Sequence, residues 1–339
     1  MPAKPPVLLH LTDLHFGWNA TDLAANTQRT LSLDSLLQTI KELPAEWKPT
    51  IICLSGDIAW AGSGTDYQLA KAWLDKLLAC CELNYGQVLV AAGNHDIVRQ
   101  EATYFPRPST SDEADQALRL PIGRAYQYAF EPFTKFCTDN GIPPMHIQET
   151  TSYLVGERVL DDIRFVTLNS SWYCRDNHDD HQLWLGLPQI QQLVVQGQLE
   201  DIEVAATPLT VVLMHHPFDF LRLEEQRTYD KRPNPRDYVA KRSHLILTGH
   251  THARMARPDT VAAGAYHFPG AAAYAGSNHA NGFRLIRLTP EQFTYCAYEY
   301  DAGTDSPTWR PAGAAQSVPR QQLRPTLPVA EPEKKKPLQ

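Results

Sequence analysis

Five short polar motifs, placed in order along the chain, constrain its fold and chemistry more than any other feature. Most of them follow a short apolar run of the kind that forms a buried strand. Open α/β sheets carry their chemistry beyond the carboxyl ends of the strands, so we expect these segments to meet in one place. The motifs are Asp13-Leu14-His15, Gly56-Asp57, Gly93-Asn94-His95-Asp96, His215-His216 and Gly249-His250-Thr251-His252.

The side chains of these motifs combine carboxylate, imidazole and amide groups, which together suit a pair of divalent or trivalent metal ions. The alternative is a buried network of Asp and His that binds no metal. Such a network would be costly, because buried charges without partners lose their hydration. We therefore predict a metal site.

Apolar runs alternate with helical repeats over the first part of the chain, which predicts an α/β fold with parallel strands. The repeat over residues 65–83 predicts a helix, with Thr65 or Asp66 as its N-cap. After residue 260, short β segments with Gly and Ala turns predict an antiparallel second sheet. The expected architecture is a four-layer α/β-β/α sandwich, in which two mixed sheets are flanked by helices.

The predicted domain covers residues 1–301. Within it, residues 97–150 break the alternation and predict a helical insertion or cap, which either helps to select the substrate or is a surface excursion with no role. Residues 302–339 are rich in Pro and end near a Lys cluster. This composition predicts a disordered tail, or a linker that docks a protein partner or leads to a fused domain.

The overall composition is that of an ordinary globular protein, with 43% hydrophobic and 20% charged residues. The sequence contains no run of 18 apolar residues, so we predict no membrane span, and it shows no apolar signal segment. We therefore expect a cytoplasmic protein that does not bind membranes. The net charge of −7 disfavours long duplex nucleic acid as a partner, although a local basic groove would still permit it.

The ordered motifs resemble those of the calcineurin-like metallophosphoesterases over about residues 7 to 300. This resemblance implies two metal ions, either Mn, Fe or Zn, with Mn the expected choice for activity in vitro. Asp57 would bridge them. The first ion would be bound by Asp13, His15 and His252, and the second by Asn94, His215 and His250.

The resemblance also implies the chemistry. A water or hydroxide between the metals would attack phosphorus, and His95 would contact the phosphate and protonate the leaving oxygen, with no covalent intermediate. Of the two adjacent histidines, His215 is the expected ligand. His216 would face the substrate or pack under Pro217.

One departure from the family pattern indicates which branch of the family the chain resembles. The protein phosphatases continue the Gly-Asp motif into Asp-Arg-Gly, whereas Trp60 stands here in place of the carboxylate that would orient His95. The chain therefore looks closer to bacterial cyclic-nucleotide phosphodiesterases, and the partner of His95 is left open.

Two further residues are candidates for substrate binding. Asn169 follows a strand signal, although it would equally satisfy a local turn. Arg254 could pair with phosphate or form a surface salt bridge. The acidic and histidine-containing segment 178–181 is interpreted as a solvated turn rather than as another metal site.

The sequence thus predicts a dinuclear metal-dependent hydrolase that cleaves phosphodiesters, with cyclic or small nucleotides as the leading substrates. The alternative enzyme is a nuclease that processes DNA or RNA ends. An alternative of another class is a metal-binding module that docks partners through its Pro-rich tail.

Overall fold

A computed structural model describes ten stretches of the chain, and within them no helix is long and apolar enough to cross a membrane. The described residues are 4–19, 21–120, 123–176, 178–202, 208–229, 231–253, 257–261, 265–276, 279–303 and 307–320.

The described residues form strands and helices that alternate over the first third of the chain. The strands are β1 (Val7–Leu11), β2 (Ile51–Ser55), β3 (Val88–Ala91), β4 (Met145–Ile147), β5 (Thr150–Ser152), β6 (Gly156–Leu160), β7 (Ile163–Thr167), β8 (Leu209–Leu213), β9 (Leu245–Thr248), β10 (Asp259–Val261), β11 (Ala265–Pro269), β12 (Gly282–Leu288), β13 (Gln292–Asp301), β14 (Thr308–Pro311) and β15 (Gln316–Pro319). The helices are α1 (Leu23–Glu42), α2 (Gly64–Cys81), α3 (Arg99–Ala102), α4 (Ser111–Ala117), α5 (Arg124–Ala129), α6 (Glu131–Asp139), α7 (Leu187–Val195), α8 (Leu223–Gln226) and α9 (Pro235–Ala240).

The strands build two mixed sheets, which confirms the predicted fold class. The first sheet has the order β14-β13-β12-β1-β2-β3, with β15 also paired to β13, and the second has the order β10-β11-β9-β8-β7-β6-β4-β5. Strands β1, β2 and β3 run parallel to one another, as do β7, β8 and β9. The carboxyl ends of five of these strands carry the five predicted motifs, and β7 ends shortly before Asn169.

Alternation along the strands explains why the sheets are layered. On β1, the side chain of Leu8 joins an apolar cluster shared with Val211 and Leu245 of the second sheet. Its neighbours Val7 and Leu9 belong to the cluster that includes Leu36 of α1. Because successive side chains of a strand point to opposite faces, one face of the sheet packs on the other sheet and one face packs on helices.

The antiparallel segments after residue 260 do not form a sheet of their own, so that prediction is wrong. Strand β12 pairs antiparallel with β1, with Leu285 opposite Leu9, while β11 runs parallel to β9 in the second sheet. The sequence pattern marks a strand but carries no information on which open strand edge will accept its hydrogen bonds.

The predicted boundary at residue 301 is also wrong, because the first sheet continues to Pro319. Trp309 of β14 is buried, packs against Phe283, and donates a hydrogen bond of 2.9 Å from its indole nitrogen to the carbonyl of Ser32. A single large aromatic side chain thus anchors a segment whose Pro content had suggested disorder. Residues 321–339 lie outside the described residues, and the prediction of a disordered tail there stays a prediction.

Helices α3 to α6 occupy most of the predicted insertion, but its last residues form β4 and the start of β5 in the second sheet. The helices lie beside the Asn94 motif, because the backbone N–H of Val98 donates to the carbonyl of Ala129 at 2.7 Å. The ring of Phe136 stacks on Tyr67 of α2 with centroids 5.0 Å apart. The helical part of the insertion therefore lies next to the strand ends, and its role as a cap stays a prediction.

Candidate metal centre

The seven predicted metal ligands lie together where the strand ends of the two sheets meet. The Nε2 atom of His252 lies 3.0 Å from Oδ1 of Asp13, although 239 positions separate them in the sequence. Oδ2 of Asp57 lies 3.2 Å from Nε2 of His15 and 3.3 Å from Nε2 of His215. This single oxygen is thus close to members of both predicted ligand sets.

The second ligand set centres on Asn94. Its Oδ1 atom lies 3.0 Å from Nε2 of His215 and 3.0 Å from Nδ1 of His250. The other ring nitrogen of His215 donates to the carbonyl of Ser55 at 2.9 Å, which orients Nε2 toward the centre, where it would lose its proton on binding a metal. The structure brings together the residues that the motifs predicted for this ion.

The backbone at the centre adopts the left-handed conformation at five of the seven predicted ligands. Non-glycine residues seldom adopt positive φ, and clusters of such residues are concentrated at functional sites. The turns after the strands therefore hold their side chains in place at a conformational cost. The φ angles are 53° at Asp13, 46° at His15, 54° at Asp57, 72° at His250 and 47° at His252.

Gly249 allows the last turn to approach the first. A Cβ atom at this position would lie 1.8 Å from Oγ1 of Thr12 and 2.7 Å from Oδ2 of Asp13. The next backbone N–H, that of His250, donates to the same Asp13 oxygen at 3.0 Å. A side chain at position 249 would push the two ligand segments apart.

The electrostatics of the centre favour two ionised carboxylates. Burial alone would raise the pKa of Asp13, but the hydrogen bond with His252 and the charge of His215 hold it below its ordinary value. The pKa of Asp57 is likewise lowered against the effect of burial, mainly by His215. Burial lowers the pKa of His250 to about 4, so this ring is neutral and able to bind a metal near neutral pH.

These residues fit a pair of metal ions. Neighbouring ligand atoms lie 3.0–3.3 Å apart, which is about the spacing of adjacent ligands around an ion with bonds of ~2.1 Å. Groups of three buried or half-buried ligands recur here, for example Asp13 with His15 and His252. Two carboxylates, four imidazoles and one amide oxygen match Mn, Fe or Zn.

His95 lies against the same centre and lines a pocket of about 250 Å³ over it. Its Nδ1 atom donates to the carbonyl of Trp60 at 2.6 Å, which answers the question of its partner that the sequence left open. Burial lowers the pKa of His95, and the charge of Asp57 partly offsets this.

Asp96, the last residue of the third motif, was missed as a functional residue. Its buried carboxylate accepts backbone hydrogen bonds from Gly93, Ala59 and Ile58, and it also accepts one from the hydroxyl of Tyr67. It ties the segment that carries Asp57 to the one that carries Asn94. Its position inside a motif was the available signal.

The pocket has an acidic wall that the sequence did not reveal. Asp176 and Asp180 are exposed and line it, while the buried Asp179 forms an ion pair with Arg107. The interpretation of 178–181 as a solvated turn holds for His178, whose side chain is 94% exposed. This interpretation misses that Asp179 and Asp180 line the pocket next to the predicted ligands.

The remaining candidates are placed differently. His216 lines the pocket, with Nδ1 2.8 Å from the hydroxyl of Ser170. Asn169 is fully buried and its Oδ1 accepts from the backbone N–H of Ser171 at 2.7 Å, which is the local turn that the sequence allowed as an alternative. Arg254 lies outside the described residues.

Two mixed sheets with paired ligand sets at their strand ends define a class of binuclear metalloproteins. The sequence matches the family model of the calcineurin-like phosphoesterases over residues 6–254, so the chain belongs to this family of metal-dependent phosphoester hydrolases. No curated protein matches the chain.

Several solved structures are similar at low sequence identity. A dimetal phosphatase from Danio rerio is 15% identical over 94% of this chain and 100% of that one, with a TM-score of 0.48. Vacuolar protein sorting 29 from Cryptosporidium parvum is 11% identical over 94% and 100%, with a TM-score of 0.38. The sulfate thiohydrolase SoxB from Thermus thermophilus is 15% identical over 92% and 57%, with a TM-score of 0.41. The family assignment rests on the sequence-family match.

Proposed function

We propose that this protein hydrolyses phosphodiesters of small or cyclic nucleotides. The observation that carries the proposal is the shared position of Asp57 between two ligand sets, with His95 beside them in one pocket. When bound, the two ions would supply an activated water and stabilise the charge that develops on phosphorus. His95 would donate a proton to the leaving oxygen from Nε2, because its Nδ1 is occupied by the Trp60 carbonyl.

The charge of the pocket supports a diester over a monoester. A phosphodiester carries one negative charge, whereas a phosphomonoester carries ~1.5 to 2 at neutral pH. Asp176 and Asp180 line the pocket, and none of its described lining residues is Lys or Arg. An anion of higher charge would be repelled more strongly there.

The same features support a small substrate over nucleic acid. A volume of about 250 Å³ is slightly below the ~300–1,000 Å³ of typical small-molecule sites. Long nucleic acids are usually held by basic side chains that pair with successive phosphates. The acidic wall and the net charge of −7 favour the nucleotide over the nuclease alternative.

A substrate panel in Mn²⁺ tests the proposal. It would contain cyclic mononucleotides, cyclic dinucleotides, single-stranded and duplex DNA, RNA, and a phosphomonoester as control. We expect the highest kcat/KM for a cyclic nucleotide. Faster cleavage of DNA or RNA would support the nuclease instead, and preference for the monoester would refute the charge argument.

The double variant D176N/D180N tests the acidic wall directly. We expect KM for the phosphomonoester to fall by about three- to tenfold, while KM for a cyclic nucleotide changes less. The expected change is of this size because the repulsion between solvent-exposed carboxylates and the substrate is screened and amounts to about 1 kcal/mol. The matched control is D161N/D162N, which removes two exposed carboxylates from the turn between β6 and β7. Equal effects of both double variants would show that only net charge matters.

A further inference from the structure

The peptide group between Trp60 and Ala61 holds His95 in place. Its carbonyl accepts the hydrogen bond from Nδ1 of His95 at 2.6 Å. Its N–H, on the opposite side of the same planar unit, donates to Oδ2 of Asp66 at 3.0 Å. One peptide group therefore connects a carboxylate with the imidazole.

Asp66 is positioned for this contact by the start of α2. Ser63, rather than Thr65 or Asp66, is the N-cap, and its hydroxyl accepts from the backbone N–H of Asp66 at 3.2 Å. The Asp66 carboxylate is thus free to turn away from the helix. It is largely buried against Gly17, where a Cβ atom would lie 1.9 Å from its Oδ1.

The indole of Trp60 fixes the plane of the His95 ring. The two rings are stacked, with centroids 4.3 Å apart and an angle of 21° between planes. Trp60 is itself held by its backbone N–H, which donates to the carbonyl of Phe16 at 2.8 Å, and by the ring of Trp18 at 5.9 Å. Both the direction of Nδ1 and the tilt of the imidazole are therefore set from one side.

We propose that Trp60 and Asp66 are the positioning residues for His95, with Asp66 acting through the intervening peptide group. The inference rests on the proposed role of His95 as the acid. Hydrogen bonds in a chain polarise one another, so a carboxylate on the N–H strengthens the carbonyl as an acceptor. In the protein phosphatases, the residue at the position of Trp60 is a carboxylate that would orient the histidine directly. Here the Trp60 carbonyl and Asp66 orient His95 instead.

The proton transfer that this arrangement prepares is simple. His95 starts as the imidazolium, with a hydrogen on each ring nitrogen. Its Nε2–H bond breaks as that proton passes to the leaving oxygen, while the attacking hydroxide oxygen bonds to phosphorus and the bond from phosphorus to the leaving oxygen breaks. The electron pair of that P–O bond stays with the oxygen and binds the proton. His95 remains with its hydrogen on Nδ1, still donated to the Trp60 carbonyl.

Leaving groups of graded acidity test the inference, because only a poor leaving group needs the acid. The substrates are methyl aryl phosphodiesters, from the 4-nitrophenyl to the unsubstituted phenyl ester, assayed in Mn²⁺ with metal content measured. We expect W60A to lower kcat about tenfold or more for the phenyl ester and less than about threefold for the 4-nitrophenyl ester, with KM little changed. W60F keeps a stacked ring and should restore most of the loss.

Asp66→Asn keeps the shape of the side chain but removes its charge. We expect a loss of about three- to tenfold in kcat, again confined to poor leaving groups. The matched controls are W47A, at a Trp that packs with Arg287 instead of lining the pocket, and D75N, at an exposed carboxylate of the same helix. Both controls should change no part of the leaving-group dependence.

The outcomes separate this inference from the proposed function. If H95A lowers kcat equally for all leaving groups, His95 is not the acid and the proposed mechanism fails. If H95A is selective for poor leaving groups but W60A and D66N are not, only the positioning role is overturned. Loss of metal from W60A or D66N would also overturn it, and should W60A not fold, D66N decides.

Discussion

Two buried acidic clusters in this molecule balance their charge in different ways. In one, Arg232 binds Asp115 of the insertion through two hydrogen bonds of 2.9 Å and the buried Glu225 through one of 2.8 Å. In the other, Asp13 and Asp57 are buried among histidines, and none of the described residues that line the pocket is Lys or Arg. The first cluster is neutralised by the chain, whereas the second is arranged to be neutralised by bound cations.

The comparison explains why the two clusters should respond to different changes. A guanidinium that joins α4 to the segment after α8 holds the insertion against the domain. We expect the carboxylates at the strand ends to bind metal ions and to contribute to chemistry. Four experiments would test this distinction.

The largest expected effect is on activity. D57N should lower kcat for bis(4-nitrophenyl) phosphate by about 10³-fold and weaken both metals, because the carboxylate that lies 3.2–3.3 Å from a histidine of each ligand set loses its charge. Enzyme assays and metal analysis would measure this. D75N, an exposed control on α2, should be fully active, and full activity of D57N would refute the bridging role.

The next effect is on stability. R232A leaves two carboxylates without their cation, one of them fully buried, and should lower the free energy of unfolding by ~3–5 kcal/mol in urea. R310A, which removes an exposed pair with Asp301, should cost only about 0–1 kcal/mol. Equal losses for both variants would contradict the view that the Arg232 cluster secures the insertion.

Metal addition should stabilise only the second cluster. Mn²⁺ at about 100 times its dissociation constant should add ~2.7 kcal/mol to the free energy of unfolding and raise Tm by several degrees. Differential scanning calorimetry would show the shift in the wild type and a much smaller one in D57N. R232A should retain the full shift, and its loss there would mean that the two clusters are coupled.

The fourth effect is a dependence on pH. Burial raises the pKa of Glu225 from 4.5 to about 7, and the charge of Asp115 adds to this, while the guanidinium of Arg232 only partly offsets it. The folded protein then holds a proton that the unfolded chain releases, so the stabilisation is complete below pH 4.5 and is lost as the pH rises through 7. E225Q should flatten this decline, which is on the order of 3 kcal/mol. D115N should move the decline to lower pH, and an unchanged profile in E225Q would assign it to other groups.

The sequence predicted that the seven residues would lie together because most of them follow strands, and the carboxyl ends of the parallel strands meet where the two sheets face each other. Asp13 and His252 could therefore be paired across most of the chain. The partner of His95 could not be predicted, because it is a backbone carbonyl and leaves no trace in the residue type. The acidic wall depends on how the loop of Asp176 folds back, which is a property of tertiary packing.

Fold class was predictable from the alternation of strands and helices, but pairing was not. The residues of β12 indicate a buried strand. Nothing in them shows that this strand pairs with β1 of the first sheet rather than with strands of a separate sheet. The strand β14 was hidden for a different reason. The Pro content of this segment predicts disorder, and composition does not show that its single Trp is buried.

That Trp has a practical consequence for anyone who prepares shortened versions of this protein. An expression boundary at residue 301 would delete Trp309 and leave an indole-sized gap between α1 and the sheet, with the carbonyl of Ser32 deprived of its donor. Fragments intended for crystallisation or ligand screening should instead retain the chain through Pro319.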